Sequence, residues 1–221
     1  MAGQTRRLWL VRHAQPLIAG GICYGRLDVP AEPEATQQAA KSFAKTLAET
    51  LAQARENSVL SLNTKSIHIY VSGLQRAQQL ADELCLALNN VKDLSQVLRQ
   101  TDRRLNEMDF GIWEAKAWSD IPETAVEHWS ADFAQHKFGG KESSQDVIDR
   151  VLAAYQATLE QAQISHSSDV IWITHAGVIR ALNYLHKHGI HPIARAEQWP
   201  REAPGFGQWQ CLDLMSLQAK N

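Results

Sequence analysis

Three short apolar runs constrain this chain more than any other feature. "LWLV" at Leu8–Val11, "IHIYV" within Ile67–Gly73 and "DVIWIT" within Asp169–Gly177 are rich in β-branched and aromatic residues, and each stops abruptly at polar or small ones. Apolar residues at successive positions suit strands buried on both faces. Helical spacing fills the intervals: Ala35, Ala39, Phe43, Leu47 and Leu51 between the first two runs, then Leu74, Ala77, Ala81, Leu84 and Leu88 after the second. Val178, Ile179, Leu182 and Leu185 follow the third run in the same way, and Val147, Ile148, Val151, Leu152, Tyr155 and Leu159 precede it, with Ser143 or Ser144 as N-cap. Strands alternating with helices of this length predict an α/β fold, a mainly parallel sheet with helices on both faces. "GQWQCLDLMSL" adds a late edge strand of antiparallel sense. Residues 109–140 read differently, because Trp113, Trp118, Trp129, Phe133 and Phe138 follow no single period; an irregular excursion over the sheet is expected there.

The chain has 221 residues, enough for one well-buried core, and a single domain over 1–221 is expected. A formal net charge of -2 provides no field that recruits nucleic acid or an anionic membrane, so any bound anion must be held by a local cluster. Cys23, Cys85 and Cys211 are odd in number and far apart, which fits reduced thiols of a cytoplasmic protein rather than a disulfide framework. "MAGQTRRLWLV" lacks the apolar centre of a signal peptide, and no segment approaches membrane-spanning length.

In open α/β sheets ligands bind outside the carboxyl ends of the strands. If the three runs are parallel, that edge gathers Arg12, His13, Arg76 of "SGLQR" and His175. Guanidinium forks match phosphate oxygens bidentately, and an imidazole beside such a clamp can attack phosphorus. A proton donor for the leaving alkoxide is still needed. "RRLNEMDFGIWE" supplies Glu107, anchored by Leu105, with Asp109 and Glu114 as alternatives.

In this order, "LVRHA", "CYGRLDVP", "SGLQRAQQLA", "RLNEMDFGIWE", "FGGKES" and "ITHAGVIRAL" resemble the successive motifs of the histidine phosphatase superfamily, with its phosphoglycerate mutase-like three-layer α/β/α fold. The resemblance runs from Leu10 to Leu182, and "CYGRLDVP" is most similar to the α-ribazole phosphatase branch of cobalamin synthesis. It implies that His13 becomes phosphorylated, that Arg12 and Arg76 hold the phosphoryl oxygens with His175, and that Glu107 protonates the leaving oxygen. Tyr24, Gly25, Arg26 and Ala176 join Arg12, Arg76 and His175 in the implied substrate site. No metal and no cofactor is implied. The expected partner is a small phosphorylated metabolite, with a second copy of the chain as a candidate partner. Ala14 stands where the family commonly has glycine, Gly73 where proline is frequent, and "GGKES" carries one more residue than the usual "GGES".

Other features have plain structural readings beside the functional ones. Arg26 either contacts the outer part of a substrate or pairs with Asp28. Cys23 is expected to pack rather than react, and the excursion's tryptophans to form a local core rather than stack on a leaving group. His186, His188 and His191 are expected on a solvated face rather than around a metal. Rival functions are a phosphoglycerate mutase, a fructose bisphosphatase-like or sugar-phosphate hydrolase, and a non-catalytic binder of phosphorylated ligands or partners.

Overall fold

A computed structural model describes residues 6–56, 65–89, 91 and 94–218; the first five residues of the leader reading lie outside it. The sheet is built from β1 (Arg7–Arg12), β2 (Lys65–Val71), β3 (Leu94–Thr101), β4 (Asp169–Thr174) and β5 (Trp209–Asp213), in the order β3-β2-β4-β1-β5. β1, β2, β3 and β4 run parallel, and β5 pairs antiparallel to β1 at the edge, as its sequence implied. The five main helices are α1 (Pro33–Glu56), α2 (Gln75–Leu88), α3 (Glu123–Ala131), α4 (Ser144–Ile164) and α5 (Ala176–His188).

The period of two along the strands divides the molecule into layers. Trp9, Val11, Ile69, Ile171 and Ile173 face α1 and α2, and join Phe43, Leu47, Leu80 and Leu84 in one core. Leu8, Leu10, Val170 and Trp172 face the opposite way, toward α4 and α5, and join Val151, Tyr155, Ile179 and Leu182 in the other. Every residue of β4 is buried, because it is the central strand and both its faces are covered. The result is the three-layer α/β/α arrangement.

Local chemistry sets the helix starts. Ser143 caps α4 by accepting from Asp146 N at 3.1 Å while the Asp146 carboxylate accepts from Ser143 N at 2.9 Å, a reciprocal capping box. α2 begins where Asp28 accepts from Gln75 N at 2.6 Å, so Asp28 is committed to that helix rather than to Arg26.

Three features depart from the sequence reading. β3 is a parallel edge strand whose residues are half-buried or exposed, so its sequence has no apolar run to announce it. The excursion contains α3 and three short 3-10 turns, and its aromatics build a satellite core: Phe138 lies within 4.5 Å of Trp129 and 6.1 Å of Trp118, centroid to centroid, over buried Cys23 and Ile121. Burial pushes the Cys23 thiol up to about 12, with the Glu114 charge contributing, which agrees with packing rather than reactivity. His186 and His188 are half-buried rather than solvated, lying against Tyr155 and Tyr184 at 5.5 and 4.8 Å. Among the described residues no helix is long and apolar enough to cross a membrane.

Candidate active site

The register of the parallel strands assembles the site. Arg12 pairs with Thr174 and Val71 with Ile173, so β1, β2 and β4 end at one level. The next residues along each chain are His13, Ser72 and His175, and the ladder extends to them through His13 N to Thr174 O at 3.1 Å and Ser72 N to Ile173 O at 3.0 Å. The imidazoles of His13 and His175 stand 5.0 Å apart.

The His13 ring is fixed by its own loop. Nδ1 lies 2.7 Å from the Ala14 carbonyl, which can only accept, so Nδ1 carries the proton and Nε2 keeps its lone pair. Burial, the Arg76 charge and then the Arg12 charge lower its pKa to about 3, against the raising effect of the Ala14 bond. The imidazole is therefore neutral and nucleophilic at neutral pH. Ala14 is buried and has no positive φ, so this loop accepts a methyl where a glycine was expected.

A hydrogen-bond chain fixes His175 in the opposite tautomer. Gly73 N donates to Asn106 Oδ1 at 2.7 Å, which identifies that atom as oxygen, and the Ser72 hydroxyl donates to the same oxygen at 2.9 Å. With its only proton spent, Ser72 Oγ must accept from His175 Nε2 at 2.7 Å. His175 Nδ1 is left as a bare lone pair, buried and without a partner among the described residues. Burial first, and then electrostatic coupling to His13, Arg76, Arg150 and Arg12, holds His175 well below its ordinary pKa.

Two guanidinium groups flank the imidazoles. Arg76, fully buried, donates to the carbonyls of Leu27 at 2.9 Å and Gly25 at 2.7 Å, and its Nε has no partner among the described residues. Arg12 donates through Nη1 to the Pro204 carbonyl at 2.9 Å, and its Nε is likewise buried and without a partner among the described residues. Neither makes an ion pair with a carboxylate among the described residues. Burial lowers the pKa of both, opposed by Tyr24 and Glu107. The Tyr24 ring lies 5.3 Å from the Arg76 guanidinium. Gly25 is required where the loop crosses Met108, since a Cβ there would stand 1.8 Å from the Met108 carbonyl oxygen.

The three carboxylates of "NEMDFGIWE" separate cleanly. Glu114 accepts from the amides of Gly25, Arg26, Leu27 and Phe110 at 2.9 to 3.0 Å and so ties the 25–27 loop to the excursion. Asp109 caps Gly111 N at 2.9 Å. Glu107 instead reaches α5, accepting from Gly177 N at 3.1 Å, and lies close enough to influence both Arg12 and Arg76. Its approach needs glycine at 177, where a Cβ would meet Glu107 Oε1 at 2.1 Å. Ala176 opens α5 at the same edge. Arg26 is exposed, and its guanidinium makes no pair with Asp28 among the described residues.

A family model described as histidine phosphatase superfamily, branch 1, matches residues 8–199. The chain belongs to that superfamily. Membership places it among phosphoric monoester hydrolases. No curated protein sequence matches it. Solved structures share the fold of this histidine phosphatase at low identity. One is "Mycobacterial hydrolase 1", 22% identical with a TM-score of 0.68 over 94% of this chain and 89% of that one. A mycobacterial glucosyl-3-phosphoglycerate phosphatase bound to inorganic phosphate is 22% identical, with a TM-score of 0.65 over 94% and 89% of the two chains. An Escherichia coli protein named as a candidate α-ribazole-5′-P phosphatase is 22% identical, with a TM-score of 0.63 over 98% and 96%.

Several residues of this histidine phosphatase site escaped the sequence reading. Ser72 and Asn106 orient His175, and Gly177 admits Glu107. Phe206 lies 3.9 Å from the Arg12 guanidinium and 5.5 Å from the His13 ring, and covers one side of both. The signal for Ser72 and Asn106 lay inside the quoted motifs, whereas nothing local marks Phe206.

Proposed function

We propose that the protein is a metal-independent phosphomonoesterase that works through a phosphohistidine at His13. The observation that carries this reading is the His13 ring, its Nδ1 held by the Ala14 carbonyl at 2.7 Å so that its lone pair is on Nε2, beside two arginines that make no ion pair with a carboxylate among the described residues. Nε2 attacks phosphorus, and the ester P–O bond breaks as the leaving oxygen takes a proton from Glu107. The unpaired N–H groups of Arg12 and Arg76 hold the equatorial oxygens, where charge accumulates. His175 Nδ1 joins them by binding a proton when the dianion arrives, since the phosphate reverses the local field that keeps the ring neutral. Water then loses a proton to the Glu107 carboxylate and attacks phosphorus, releasing inorganic phosphate and restoring His13.

The working substrate is a small phosphorylated metabolite of the cytoplasm. α-Ribazole 5′-phosphate is favoured by the "CYGRLDVP" resemblance and by the fold shared with the Escherichia coli protein. A sugar phosphate or related ester with a second anionic group is favoured by a third arginine near the site, Arg180.

Glu107→Gln tests the chemistry. The amide preserves shape but cannot donate the proton. Single-turnover phosphorylation of His13 should slow by about 10²-fold or more for an alkyl phosphate, and much less for p-nitrophenyl phosphate, whose leaving group is stable as an anion. Equal slowing for both esters would remove Glu107 as the acid.

A further inference from the structure

We infer that Arg180 forms a second anion subsite on the leaving-group side of the crevice, and that the preferred substrates carry a carboxylate or second phosphate beyond the scissile phosphate. The inference rests on the reading of His13 and Glu107 given above, and adds the class of substrate.

Position is the first argument. Arg180 lies on α5 three residues after Gly177, so the two share a helix face. Gly177 is the residue whose N–H donates to Glu107 Oε2 at 3.1 Å. Long helical side chains lean over the turn that precedes them, which brings Arg180 back across that contact. The group that protonates the leaving oxygen and the Arg180 guanidinium therefore border the same side.

The second argument is how the guanidinium is held. Nη2 of Arg180 donates to the Arg201 carbonyl at 3.0 Å, and Nη1 of Arg12 donates to the Pro204 carbonyl at 2.9 Å. Three residues of chain span at most about 11 Å, so one short strap fixes both cations within reach of a single small molecule. The same strap carries Phe206 over Arg12 and leads through Gly207 N to the His13 carbonyl at 3.0 Å. The Arg180 charge is felt at Arg12.

Charge is the third. Arg180 Nε is buried and unpartnered, and no carboxylate pairs with Arg180 among the described residues. Arg12 and Arg76 already match the two charges of a phosphate dianion. A third guanidinium with unused N–H groups calls for another anion, which α-ribazole 5′-phosphate lacks and a phosphorylated acid or a bisphosphate supplies.

The test is a series of ω-carboxyalkyl phosphates of increasing length, each compared with its ω-hydroxyalkyl analogue. At the matching length wild-type protein should favour the carboxylate ester by about tenfold or more in kcat/KM, and Arg180→Gln should collapse that ratio toward unity. Arg180→Glu provides a second arm: the ratio should invert, favouring ω-ammonium esters. No carboxylate preference at any length, or a preference that survives in Arg180→Gln, would overturn the subsite. Failure of wild-type protein to hydrolyse even the hydroxyl analogues and p-nitrophenyl phosphate would be a different result. It would remove the phosphatase reading and the subsite with it.

Discussion

At the amino ends of β1 and β4, Arg7 and Asp169 meet in a bidentate pair at 2.7 and 3.0 Å, and the same carboxylate accepts from Trp9 Nε1 at 3.0 Å and from the Ser168 hydroxyl at 2.7 Å. At the carboxyl ends of these strands, one strand length away, half-buried Arg12 and buried His13 and His175 make no carboxylate pair, and Arg12 Nε and His175 Nδ1 have no hydrogen-bond partner, among the described residues. Both ends bear the cost of removing charge from water. Only the amino end offsets it with a carboxylate ion pair among the described residues. In the proposed reading, the two arginines and two imidazoles at the carboxyl end are matched instead by the charge of a bound phosphoryl group.

The largest effect expected from breaking this contrast comes from His13. His13→Ala removes the nucleophile while leaving both arginines in place, and should lower turnover by roughly four orders of magnitude with the fold intact by circular dichroism. Activity near that of the wild type would show that the carboxyl end only binds.

Arg76 comes next. Arg76→Ala should cost about 2.7–4 kcal/mol of transition-state stabilisation, read as a fall in kcat/KM. Arg76→Lys should recover little, because an ammonium cannot hold the Gly25 and Leu27 carbonyls and still present a planar fork to phosphate. Lysine rescue would mean that only the charge matters.

The smallest effect belongs to the amino end and should leave chemistry alone. Burial acts to raise the Asp169 pKa, but bonds from Arg7, Trp9 and Ser168 and the Arg7 charge outweigh it, so the folded value lies below the ordinary one. A carboxylate with a depressed folded pKa contributes stability that is fully present above the unfolded value, about 3.9, and is lost as pH falls through the folded value. Asp169→Asn should lower stability by about 1–3 kcal/mol at pH 7, with little change in kcat, and should shrink the loss of Tm between about pH 5 and 2. A drop in kcat without a drop in Tm would place Asp169 in the site's machinery rather than in the fold's.

The same contrast explains what could be read from sequence. β1, β2 and β4 are visible because a strand buried on both faces must be apolar throughout, and His13 and His175 are visible because they interrupt that pattern at its end. β3 is invisible for the converse reason, since an edge strand with exposed faces carries no apolar run. Glu107, Asp109 and Glu114 are equivalent as letters; hydrogen bonds to Gly177, to Gly111 and to the 25–27 loop distinguish them. Phe206 and the strap reach Arg12 from almost two hundred residues away, at |i−j| = 192 for the Arg12 to Pro204 bond, and no local pattern records a contact of that kind.

The central claim is that His13 Nε2 is the atom phosphorus bonds to. Its most direct test is rapid quenching of the protein with a ³²P-labelled phosphate ester, followed by denaturation and peptide mapping. The account predicts an acid-labile, base-stable phosphate on the peptide containing His13, formed before inorganic phosphate appears and absent in His13→Ala. Hydrolysis at full rate with no protein-bound label, or a label on any other residue, would contradict it.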